Sequence, residues 1–95
     1  MFNLYVMYTV QPGCRESFLN EAVDSGVVAE IRRENGCRRY EYFYSAEEDT
    51  KLLLVEQWET EADQKLHMKQ PHMNVLRALK EKYVTDVKVG TMQFE

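Results

Sequence analysis

Apolar and polar positions change period several times along this chain, and each change marks an element. Residues 2–10, FNLYVMYTV, are rich in aromatic and branched side chains and run into Gln11-Pro12-Gly13. Such side chains suit a pleated surface and Pro-Gly ends one, so the segment predicts a strand. Phe2, Leu4, Val6 and Tyr8 share one parity, Tyr5 and Met7 the other, which predicts cover on both faces. The period then lengthens. Leu19, Val23, Val27 and Ile31 recur every four residues, with Phe18 and Ala22 beside them, and predict a helix over 14–34. Gly26 is a candidate break in it. Asn35-Gly36 supplies residues that tolerate the left-handed conformation closing a helix.

Alternation returns in 37–45, CRRYEYFYS, where Tyr40, Tyr42 and Tyr44 face one way and Arg39, Glu41 and Phe43 the other. Ala46–Thr50 is a polar turn, and 51–59, KLLLVEQWE, completes a hairpin. Thr60 offers an N-cap oxygen, with Asp63 as its acidic partner three residues on, and a short helix is expected to about Lys69. Pro71 opens or kinks a further helix that buries Met73, Leu76, Leu79 and Tyr83. Residues 84–94 alternate as a last strand. The order β-α-β-β-α-β predicts an α+β, ferredoxin-like fold: a four-stranded antiparallel sheet with its helices on one face. Nothing in the chain covers the other face, and large apolar faces are seldom left in water. A second copy, sheet to sheet, is therefore expected, giving a two-fold dimer with a cavity between the sheets.

Composition adds limits. The 95 residues suit one domain spanning 1–95, with 44% hydrophobic and 29% charged residues, as in soluble proteins. The net charge of −4 comes from interspersed acids and bases. Nucleic-acid binding needs a basic stripe, so no such partner is expected. Cys14 and Cys37 form no metal-ligand spacing and read as free thiols in a reducing, cytoplasmic setting. The first residues lack a basic, cleavable leader pattern. No apolar run approaches the ~18 residues that suggest a membrane span.

Rare side chains gather in EQWETEADQKLHMKQPHM, residues 56–73, which holds Trp58, His67 and His72. Trp58 reads as core, as a pocket wall for a planar molecule, or as both. Glu56 lies in a strand of Leu and Val, where a carboxylate needs a partner or water. Its readings are a structural ion pair, a pocket-facing polar group or a residue near the exposed strand end. An imidazole suits proton abstraction near neutral pH, so His67 and His72 are candidate bases, with His67 favoured for cavity contact. Both also read as surface or helix-end residues, and His72 as support for the turn after Pro71. The Tyr40, Tyr42, Tyr44 stripe reads as core or as pocket lining. The H-x4-H spacing is not the helical i, i+4 zinc pair, and no dinucleotide fingerprint or phosphate loop occurs, so neither metal nor cofactor is expected.

With VQPG at 10–13, ENGCRRY at 34–40, VEQWET at 55–60 and HMKQPHM at 67–73, the chain resembles the antibiotic biosynthesis monooxygenase domains of the dimeric α/β-barrel superfamily, close to quinol monooxygenases. The resemblance covers nearly the whole chain. It implies oxidation of quinols, anthrones or similar phenols by molecular oxygen, commonly without metal, flavin or haem, in a homodimer. It gives His67 and His72 as catalytic candidates and Trp58, Glu56, Tyr40 and Tyr42 as pocket candidates, Tyr40 matching the family's GC-x-x-Y pattern. Leu54 stands where the anthrone-oxidising branch has asparagine, and Val6 and Met7 lie near the asparagine of the haem-degrading branch. The alternatives are a binding or stress-response module without turnover, and a non-oxidative isomerase acting on a small signalling metabolite.

Overall fold

In the computed structural model, which describes residues 1–94, the elements follow in the order β1 (Phe2–Val10), α1 (Arg15–Asp24), α2 (Val27–Arg32), β2 (Cys37–Tyr44), β3 (Lys51–Trp58), α3 (Glu61–His67), α4 (Met73–Tyr83) and β4 (Val84–Thr91). The four strands form one antiparallel sheet in the order β2-β3-β1-β4, the predicted ferredoxin-like arrangement. Where the period predicts one helix over 14–34, there are two. Gly26 adopts φ 85, which side chains with a Cβ seldom tolerate, and the chain turns there before α2 begins. Phe18 and Ala22 of α1 and Val27, Val28 and Ile31 of α2 still reach one core.

Pairing register fixes which side chains meet. One row across the sheet reads Tyr40, Glu56, Leu4; the next reads Tyr42, Leu54, Val6; a third reads Tyr44, Leu52, Tyr8. Alternation puts all of these on one face. The core cluster joins that face to α1, α2 and α4. The opposite face carries Tyr5, Met7, Phe43, Leu53 and Val55, of which Val55 is buried and Phe43 is exposed.

Two local devices set the edges of the site. Gly36 turns the chain into β2 at φ 83, and a Cβ there would collide with the Asp63 carboxylate at the start of α3. Asn35 Nδ2 donates to the same carboxylate at 3.3 Å. On the far side, one Arg15 nitrogen donates to the carbonyls of Ser45, Glu48 and Lys51 at 3.3, 3.0 and 3.1 Å. Its guanidinium lies 4.1 Å from the centre of the Tyr44 ring. Arg15 thus ties the first helix to the β2–β3 turn.

Candidate active site

The site grows from the end of β3. Thr60 Oγ1 accepts from the Asp63 amide at 3.1 Å, capping α3 as its sequence predicts. In a helix, residues three and four apart share a face. Gln64, His67 and Met68 accordingly look back over the sheet, and Met73 and Lys80 of α4 approach from the side. Between them and the sheet lies a pocket of about 250 Å³. Its floor is Leu4, Val6, Tyr8, Tyr40 and Glu56. Val87 and Val89 of the edge strand and Met68 of α3, all exposed, form an apolar rim.

This pocket lies between the sheet and the helices of one chain, a different place from the expected cavity between the sheets of two copies. Tyr40, Glu56, Trp58 and His67 all lie on the helix-covered side, which is why they are buried within one chain. Parity alone separates the two faces; it does not say which one the helices choose.

Of the predicted residues, His67, Glu56 and Tyr40 line the pocket. The others stand behind them. Trp58 is fully buried and is backing rather than wall: its Nε1–H donates to Glu56 Oε1 at 2.9 Å, and its ring lies 4.7 Å from the His67 ring. Tyr42 packs edge-on to Tyr40 at 5.8 Å and is not part of the lining. His72 also misses the pocket. It sits beyond Glu34, whose carboxylate separates the two imidazoles.

Glu34 is the main partner that sequence reasoning missed. Its oxygens lie 3.1 and 3.0 Å from His67 Nδ1. A carboxylate there accepts the Nδ1–H and so fixes the tautomer, leaving Nε2 as the basic nitrogen. Nε2 has no hydrogen-bond partner among the described residues. Glu34 is 33 positions from His67, so no local pattern announced the pair. Tyr8 and Lys80 were also missed. Lys80 occurs in a helix whose other lysine, Lys82, is exposed, and by composition the two look alike.

Burial dominates the electrostatics. It raises the Glu56 carboxyl above its ordinary value, an effect opposed by the Trp58 hydrogen bond and by His67 and Lys80. It holds the Tyr8 and Tyr40 phenols well above their usual range and lowers the Lys80 ammonium. The Lys80 Nζ lies 5.5 Å from the centre of the Tyr8 ring and pairs with no carboxylate within 4 Å among the described residues. The pocket thus combines apolar walls with a carboxyl whose ionisation burial disfavours, an imidazole of fixed tautomer and an unpaired cation. The described residues contain no group of three or more His, Cys, Asp or Glu placed to hold a metal ion.

The sheet and its helices form the ferredoxin-like class of α+β fold. The chain belongs, within that class, to the antibiotic biosynthesis monooxygenase family, whose model matches residues 1–79. It is 33% identical over 72 residues to "Putative monooxygenase YcnE" of Bacillus subtilis (strain 168), covering 76% of this chain and 74% of that one. The structure of PA3566 from Pseudomonas aeruginosa is similar with a TM-score of 0.83 at 23% identity, over 99% of this chain and 93% of that one. Rv0793 from Mycobacterium tuberculosis is similar with a TM-score of 0.81 at 24% identity, over 99% and 94%. At these identities the two structures speak to the fold.

Proposed function

We propose that the protein is a cofactor-independent monooxygenase that oxidises a quinol or similar electron-rich phenol with molecular oxygen, working as a homodimer. The observation that carries the reading is His67: a buried imidazole in the wall of an apolar pocket, with Nδ1 held by Glu34 and Nε2 available as base. A planar phenol passes the apolar rim and lies against Tyr8 and Tyr40. His67 Nε2 takes the hydroxyl proton. Lys80 stabilises the oxyanion, a role that water exclusion strengthens. The anion gives one electron to oxygen, and the phenoxyl radical and superoxide combine at a ring carbon. Cleavage of the O–O bond leaves one oxygen on the ring and releases the other as water, the substrate being the only reductant.

The test is oxygen uptake with a panel of quinols, using chelator-treated protein without visible absorption. The parent is expected to consume oxygen in proportion to quinol. His67→Ala is expected to slow the chemical step by about 10²-fold or more, as loss of a general base does, with little change in affinity. Binding of phenols without oxygen uptake across the panel would overturn the reading in favour of a binding module. Conversion of a ligand without oxygen uptake would favour an isomerase.

A further inference from the structure

Two histidines and two glutamates form an unbroken line from the pocket wall to the surface. The side chains of His67, Glu34, His72 and Glu30 are 1%, 10%, 19% and 56% exposed, so exposure rises at every step. Glu34 Oε2 lies 3.0 Å from His67 Nδ1 and 2.7 Å from His72 Nε2. His72 Nδ1 lies 3.1 Å from Glu30 Oε2. Both imidazoles point the same way round: Nε2 is the inner nitrogen of His72, and Nδ1 faces the outer carboxylate in each. A residue that merely propped the turn after Pro71 would need one such contact. His72 has both nitrogens matched to carboxylates, one from α2 and one from the turn after it.

We infer that Glu34, His72 and Glu30 relay to solvent the proton that His67 takes from the substrate; the inference rests on the phenol chemistry proposed for the pocket. Imidazole suits the task because it takes a proton at one nitrogen while releasing one from the other. A proton arriving at His67 Nε2 is matched by transfer of the Nδ1 proton to Glu34. The proton shared by Glu34 Oε2 and His72 Nε2 shifts to His72, and the His72 Nδ1 proton leaves through Glu30 to water. One proton enters the line and one leaves it. Substrate in the pocket occupies the inner side of His67, which leaves its Glu34 side as the exit. Tyr40, Glu56 and Glu34 face His67, and Glu30 and Glu34 face His72. His67 and Glu34 also border a separate cleft of about 190 Å³ with Asp63 and Gln70, where water offers a competing route.

His72 is thus a positioning and relay residue, since it does not touch the substrate. The test follows proton movement without turnover. Under anaerobic conditions, 4-nitrophenol is mixed with the protein at a pH where the free phenol is neutral, beside a spectrally distinct pH dye. In the parent, phenolate colour and released protons are expected to rise together. His72→Gln fills the site but cannot shuttle, and it is expected to slow both signals by about 10²-fold at unchanged phenol affinity. His72→Ala is expected to do the same, with imidazole added to the medium restoring the rate. Parental rates in both variants would assign the exit to water in the cleft and overturn the relay. So would a His72→Ala loss that imidazole does not restore, or a parent that never ionises the bound phenol. Quinol oxidation is assayed separately with oxygen, so a failure of the oxygenase reading shows there and leaves the proton signal standing.

Discussion

Glu56 illustrates how one side chain can serve a site at the expense of the fold. Burial raises its carboxyl above the ordinary value of 4.5, so between 4.5 and the raised value the folded chain binds more protons than the unfolded one. Stability must then fall as pH rises through that window, and the loss is complete above it. Glu56→Gln lacks this ionisation, while its amide oxygen can still accept from Trp58. Urea unfolding at a series of pH values should show the variant gaining on the parent as pH rises, then holding a constant lead. Parallel curves would mean that Glu56 ionises without penalty. Trp58→Ala should act differently, costing ~3–5 kcal/mol because it empties a core position, with a further loss as pH rises because the ionised Glu56 no longer has the Nε1–H donor. Glu56 itself was legible in the sequence, since a carboxylate among Leu and Val is conspicuous. Trp58 and His67 were legible as neighbours. Glu34, Tyr8 and Lys80 were not, because their roles depend on contacts set by the sheet register and the path of α2 and α4, which no local spacing encodes.

At the scale of elements, the hairpin and the capped start of α3 follow directly from alternation and from the Thr60–Asp63 pair. The break at Gly26 was legible as a candidate, but not its effect, which is to give α2 a separate course that carries Glu30 and Glu34 to the histidines. The last strand stops at Thr91 rather than reaching residue 94. Arg15 was silent in the sequence because a single arginine at a helix start has no pattern, yet it holds three hairpin carbonyls. Arg15→Lys should therefore not be conservative: an ammonium cannot reproduce the stacking of the planar guanidinium on Tyr44. A loss of about 0.5–2 kcal/mol is expected in urea unfolding, the range for a guanidinium over an aromatic face. Faster amide exchange should be confined to the β2–β3 turn. Exchange that quickens equally throughout the chain would argue against a local tie.

For the whole molecule, the face bearing Tyr5, Met7, Phe43 and Leu53 is the surface on which the proposed second copy would sit. Sedimentation at micromolar concentration should give about twice the 11.3 kDa chain mass, and a stable monomer would sink the dimer. His67 and Glu56 line the same pocket of the same chain. That has a consequence for mixed assemblies. Enzymes with shared sites regain activity when two differently damaged chains are combined, since one site in the mixture escapes both lesions. Here each chain carries both lesion positions in its own pocket. Mixing His67→Ala and Glu56→Ala chains should restore nothing, while an active chain paired with either should keep its own full turnover, so activity should track the number of intact chains in simple proportion.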